Sequence, residues 1–210
     1  MAVLDLERLA RTPLVTDPFD YVVVEDFIPP EALAAAVADF PKVPRRGLYP
    51  PDLVDVTGGF RAVMAALTGE GFREAIEQKF GLSLADRPWM YTVRGHISAR
   101  DGGIHNDSAT KIITVLLYFN DKAWPHEGGR LRLLRNGTDL EDYAAEVAPA
   151  GGTLIVFRRS QASWHGHRPF AGPRKAIQLN WVTDQGVVDR ESAKHAFSAR
   201  IKQLIPFASS

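Results

Sequence analysis

The chain has 210 residues, 45% of them apolar and none of them cysteine, with 25 basic side chains against 25 acidic ones. A chain of this length buries a sizeable core and reads as one domain, while its balanced charge gives no global pull towards nucleic acid or an anionic membrane. The missing cysteines exclude disulfides, thiolate catalysis and sulfur-ligated centres, so any metal must be held by His, Asp or Glu.

The opening MAVLDLERLARTPLV carries acidic residues and no continuous apolar stretch, so it does not read as a signal peptide. No apolar run approaches the roughly 20 residues that span a bilayer, and a cytoplasmic protein without membrane or nucleic-acid partners is expected. FDYVVVEDF is an early strand. From Pro29 to Gly81 the texture is helical: PPEALAAAVADF starts with proline at a first-turn position, and GEGFREAIEQKFG repeats Phe72, Ile76 and Phe80 along one face before a terminating glycine. From Trp89 the runs become short and rich in β-branched and aromatic residues, as in WMYTVRGHIS, KIITVLLYFN, GRLRLLR, GTLIVFRR and KAIQLNWV. A last helix fits VVDRESAKHAFSARIKQLI. The expected organisation is one domain over 1–210: a helical N-terminal part with an early strand (1–88), a β core (89–182) and a C-terminal helix (183–210). Many strands with few helices between them favour a mainly β (α+β) sandwich or jelly-roll barrel over a parallel sheet.

Chemistry concentrates in two places. In IHNDSATKIITVLLYFN, His105 and Asp107 stand two apart, and in extended chain such residues share a face. Chance alone would give roughly 0.4 such pairs in a chain with six histidines and 15 aspartates, so the pair needs a third ligand. SQASWHGHRPFAGPRKAIQLNW supplies His165 and His167, distant in sequence but close in a barrel. Two His and one Asp make a facial triad that leaves coordination positions open, an arrangement suited to non-haem Fe(II). Geometry alone does not choose between His165 and His167, which share a face.

In this order the pieces resemble the Fe(II)/2-oxoglutarate-dependent oxygenases, in particular their prolyl 4-hydroxylase-like branch, over roughly residues 89–182. They are HxD at His105 to Asp107, the strand ending LLYFN, the double glycine Gly128–Gly129 before RLRLL, GTLIVF, then H-x3-P-F from His165 and G-x-R at Gly172 to Arg174. The resemblance implies a double-stranded β-helix (jelly-roll) core with N-terminal helices packed on it. It also implies Fe(II) held by His105, Asp107 and His165, with 2-oxoglutarate gripped by Arg174. The reaction would be hydroxylation of an unactivated C–H bond with release of succinate and carbon dioxide. A guanidinium suits the cosubstrate role because its planar fork holds a carboxylate bidentately and never loses its charge. Strand alternation turns Lys175 to the opposite face. Where the family often has a tyrosine before HxD, this chain reads RDGGIHND.

Further expectations attach to neighbouring residues. Tyr91 and His96, on the strand before HxD, are candidate donors to 2-oxoglutarate, and His167 is a candidate substrate-facing group. Arg158 and Arg159, with Arg100, Lys111 and Arg168, form a basic ring suited to drawing in an anionic substrate. The substrate itself, whether small molecule, sugar or peptide, is not specified by these motifs, and molecular oxygen is the implied co-reactant. Two rival readings share the ligands: a cupin-like metal-dependent isomerase or lyase, and a non-catalytic jelly-roll binding module. The isomerase or lyase gives no reason for an arginine at the G-x-R position, and metal stoichiometry with a 2-oxoglutarate binding assay separates the binding module from both.

Overall fold

The computed structural model describes residues 2–43 and 46–204. Eight strands and five α-helices occur in the order α1 (Leu6–Arg11), β1 (Tyr21–Val24), α2 (Pro30–Ala38), α3 (Gly58–Leu67), α4 (Glu70–Phe80), β2 (Trp89–Ile97), β3 (Lys111–Tyr118), β4 (Leu131–Leu134), β5 (Tyr143–Val147), β6 (Leu154–Arg158), β7 (His165–Gly166), β8 (Gly172–Val182) and α5 (Gln185–Leu204). The strands form a five-stranded sheet, β1-β6-β3-β8-β2, and a three-stranded sheet, β5-β4-β7. All the paired strands are antiparallel. The fold is mainly β with flanking helices around a jelly-roll core. No described helix is long and apolar enough to cross a membrane.

The large sheet is covered on both faces, which explains why its strands read as nearly continuous apolar runs. Alternation splits each strand cleanly. On β3, Ile113, Val115 and Leu117 face the helices, and on β8 Ile177, Leu179 and Trp181 do the same, joining one core with Phe60, Val63, Leu67, Phe72 and Ile76 from α3 and α4. The opposite faces of these strands turn to the barrel interior, where Tyr118 and Ala176 meet Leu131, Leu133, Ile155 and Phe157 in a second core. The register Thr114↔Asn180, Leu116↔Gln178 and Tyr118↔Ala176 sets the rungs of that inner face.

The expected helices at PPEALAAAVADF and GEGFREAIEQKFG are present as α2 and α4, and α4 ends at Gly81 in the left-handed conformation (φ 60°). The expected C-terminal helix is α5, with residues 205–210 outside the described part. The short α1, β5 and two-residue β7 were not anticipated, since six, five and two residues carry too little periodicity to stand out. Phe72 joins the helical layer to the sheet: its ring stacks on Trp181 at 6.1 Å and lies 5.9 Å from Phe27. Replacing it by alanine is expected to cost about 3–5 kcal/mol, because the ring is almost fully buried and leaves a cavity. Urea unfolding of Phe72→Ala should show that loss without a change in the ligand geometry described next.

Candidate active site

His105, Asp107 and His165 converge, each offering one ligand atom, with all three atoms within 4.8 Å of one another. A pair of reciprocal backbone hydrogen bonds, His105 N to His165 O and His165 N to His105 O at 3.0 Å each, brings the two histidines side by side. Their Nδ1 atoms lie 2.9 Å from Gly103 O and 3.0 Å from Ser163 O. A carbonyl only accepts, so both Nδ1 atoms carry the proton and both Nε2 lone pairs are left for a metal. The two nitrogens and one carboxylate oxygen therefore fit a divalent iron that keeps open positions.

Asp107 is buried, which alone would raise its pKa. The ammonium of Lys111, 2.7 Å from Oδ1, and the hydroxyl of Thr114, 2.6 Å from Oδ2, outweigh that and hold the carboxyl below its ordinary range. It is thus an anion ready to ligate. Burial also pushes His165 down to about 4, against the pull of Asp107, so its ring is neutral at pH 7.

Behind the triad lies an inner chamber of about 160 Å³. Arg174 lines it and is buried, donating from Nε to Gly129 O (2.8 Å) and from Nη2 to the hydroxyl of Tyr118 (3.0 Å). Lys175 points the other way, its Nζ 5.4 Å from the Phe40 ring centre. His167 also lines this chamber and is held neutral, burial pushing it down to about 4. It stands outside the three-ligand group. Its ring packs on Gly102, which has φ 85° and where a Cβ would come within 2.2 Å of the imidazole. Gly102 in RDGGIHND, having no side chain, thus leaves room for His167. An outer chamber of about 350 Å³ opens on the other side of the triad, lined by Asp107, Lys111, Thr92 and Asn180 and by Val187 of α5.

Four expected residues are elsewhere. Tyr91 lies on the helix-facing side of β2, packed against the outer core and stacked on Trp89 at 6.3 Å. Its odd-numbered position shares the face of Val93. His96 is exposed beyond an irregularity between Arg94 and His96 and lines neither chamber. Neither residue is placed to donate to a cosubstrate. Arg158 is solvent-exposed and faces Asp20 at 3.9 Å, while Arg159 donates to the backbone oxygen of Asp107 at 3.1 Å. Both lie outside the chamber walls. The basic ring is further neutralised, since Arg168 pairs with Glu141 and Lys111 with Asp107.

Sequence reading passed over Arg94, Tyr118 and Gln178, all on inward positions. Arg94 and Gln178 line both chambers, and Tyr118 contacts Arg174. Alternation along WMYTVRGHIS contains the signal, because 90, 92 and 94 share the face opposite Val93.

Residues 92–183 match the family model described as the 2OG-Fe(II) oxygenase superfamily. Among solved structures the chain is similar to a Pseudomonas putida prolyl-4-hydroxylase, at 20% identity and a TM-score of 0.54 over 84% of this chain and 90% of that one. It is likewise similar to a prolyl 4-hydroxylase from Phytophthora capsici (16%, TM-score 0.55, 96% and 76%). A third similar structure is the viral collagen prolyl hydroxylase of Paramecium Bursaria Chlorella virus-1 (16%, TM-score 0.51, 81% and 92%). At these identities the likeness shows the shared fold. No curated protein matches the chain. The family-model match covers the stretch from β2 to the end of β8, which carries the three convergent side chains and Arg174.

Two predictions rest on this geometry. His165→Ala and Asp107→Ala should lose Mn(II) binding by calorimetry, whereas His167→Ala should retain it; equal loss in both histidine variants, with folding intact, would remove the assignment. His167 also predicts a pH effect. Its pKa is about 4 in the fold against 6.5 when unfolded, so the unfolded chain binds more protons between those values and stability falls as pH drops through that window. One such histidine contributes about 2 kcal/mol of loss between pH 7 and pH 5. Urea unfolding with a chelator present should show a smaller loss in His167→Gln than in the wild type.

Proposed function

We propose that this chain is a 2OG-Fe(II) oxygenase, a reading supported by the family match over residues 92–183, and that it hydroxylates an unactivated C–H bond of a substrate held in the outer chamber. The hydroxylation is coupled to conversion of 2-oxoglutarate into succinate and carbon dioxide. The observation that carries the reading is an inner chamber lined by His105 and His165 of the three-ligand group and by Arg174, whose guanidinium is buried against Tyr118. In this reading His105 and His165 hold Fe(II) through Nε2 and Asp107 through a carboxylate oxygen. Arg174 and the Tyr118 hydroxyl take the distal carboxylate of 2-oxoglutarate.

Fe(II), when bound, supplies the activation of oxygen that the hydroxylation of a C–H bond requires. The protein's part is positional and electrostatic. Arg174 is fixed before ligand arrives, because Gly129 O and Tyr118 already occupy two of its donors, so little rotamer freedom is lost on binding. Lys111 and Thr114 hold the Asp107 carboxylate in one orientation and ionised. Leu116 and Leu131 in the inner wall keep water from the reacting region. A cupin-like isomerase or lyase gives no reason for a buried guanidinium in the wall of the inner chamber. Peptidyl proline is not proposed as substrate, because the likeness to prolyl hydroxylases, at 16–20% identity, shows the fold alone.

Calorimetry with Mn(II) in place of iron tests this directly: wild-type protein should bind 2-oxoglutarate, and with Fe(II) it should form succinate. Arg174→Gln should weaken 2-oxoglutarate at least tenfold, since losing one partner of a buried charge pair costs about 2–5 kcal/mol, while Mn(II) affinity holds. Lys175→Gln should leave both unchanged. A wild-type protein that binds Mn(II) but no 2-oxoglutarate would sink the proposal.

A further inference from the structure

We infer that the primary substrate is a small polar acid whose anionic group is gripped by Arg94, on the wall between the two chambers; this rests on reading the inner chamber as the 2-oxoglutarate site. Arg94 projects from β2 beside Ala176, with Tyr118 on the other side of the same rung. It lines both chambers, as do His105 and Gln178, whereas Arg174 lines the inner one alone. Arg94 therefore stands at the divide, next to the triad.

Two grounds point to an anionic partner that the protein does not itself provide. First, among the described residues no hydrogen bond or ion pair joins Arg94 to the protein, although the side chain is partly buried. The acid whose field it feels, Asp101, is tied by Oδ2 to Ser98 N (2.7 Å) and Ser98 Oγ (3.2 Å). A guanidinium cannot shed its charge, so leaving it partly desolvated and unpaired is costly. Second, both carboxylates of 2-oxoglutarate already have places, one on Arg174 and one at the iron.

The rest of the outer chamber defines the remainder of the molecule. Gln178, Asn180, Thr92, Ser108 and Thr110 present amides and hydroxyls around the space beside Arg94, partners for hydroxyl or amino groups. At about 350 Å³ the chamber sits near the low end of small-ligand sites. A carboxylate matches the fork of Arg94 bidentately, so the class is a hydroxy- or amino-carboxylic acid.

The experiment loads the protein with Mn(II) and 2-oxoglutarate without iron and measures how Mn(II) accelerates proton relaxation in a fixed panel. The panel holds free α-amino acids, 2-hydroxy acids and aldonic acids, each with its primary amide, and neutral polyols. At least one acid should be relaxed while its amide is not. Arg94→Gln should weaken that acid at least tenfold and Arg94→Lys less, with 2-oxoglutarate affinity changed by less than about threefold in both. The inference is overturned if no acid is relaxed, if amides are relaxed as strongly as acids, or if Arg94→Gln weakens 2-oxoglutarate as much as Arg174→Gln does. Failure of the wild type to bind 2-oxoglutarate is measured first, and would overturn the underlying reading along with this one.

Discussion

Two backbone hydrogen bonds between His105 and His165 hold the site together. They join segments 60 residues apart, and they do so at the residues whose rings then lie 4.2 Å from each other. Side-chain contacts reinforce the same seam. Asn106, the middle residue of HxD, donates to Ser160 O and Gln161 O and accepts from Ser163 Oγ. Arg159 clamps the carbonyl of Asp107. The loop after β6 and the loop before β3 thus form one hydrogen-bonded unit, and His165 passes the connection on to β4 through its pairing with Leu133. Misplacing that seam by one residue would turn every ligand to the wrong face.

Electrostatics explains why this seam tolerates a buried carboxylate. Asp107 sits in a place where desolvation favours the neutral acid, yet its two oxygens meet an ammonium and a hydroxyl, and the hydroxyl of Thr114 lies 3.1 Å from Asn180 Oδ1 one strand further on. The anion is therefore stabilised before a cation arrives. Buried His165 goes the opposite way, kept neutral by burial. A charged carboxylate beside an uncharged imidazole is the protonation state that a divalent metal needs, since a protonated ring has no lone pair to give.

Much of this was legible in the sequence, for physical reasons that also mark where reading stops. The inward turn of Arg174 and the outward turn of Lys175 follow from a period of two in an 11-residue strand, and the HxD spacing marked His105 and Asp107 although they lie in irregular chain ahead of β3. Tyr91 and His96 were misjudged because membership of a strand says nothing about its face until a neighbour fixes the phase. Val93 in the outer core fixes it here, and the irregularity after Arg94 then carries His96 out of the site. Arg158 and Arg159 looked like a basic ring because charge is visible in sequence and pairing is not. One faces Asp20 and the other holds a backbone carbonyl. β7 was invisible because two residues have no pattern, although one of them is a ligand. The role of Gly102 depends on a ring 65 residues away.

The division of labour within single strands links stability to chemistry. On β3 and β8 the outward positions are Ile, Val, Leu and Trp, packed under α3 and α4, and they supply the apolar burial that holds the sheet flat against the helices. The inward positions two residues apart are Thr114, Leu116 and Tyr118 on one strand and Arg174, Ala176, Gln178 and Asn180 on the other. Because the outer face carries the burial, the inner face can hold hydroxyls, amides and a guanidinium in a sheet buried on both sides. Each of those groups must then find a partner, and Arg174, Thr114 and Asn180 find theirs within the protein. Arg94 sits on the same inner surface and finds none among the described residues, so the incomplete pairing on an otherwise satisfied face is where this barrel is built to meet something from outside.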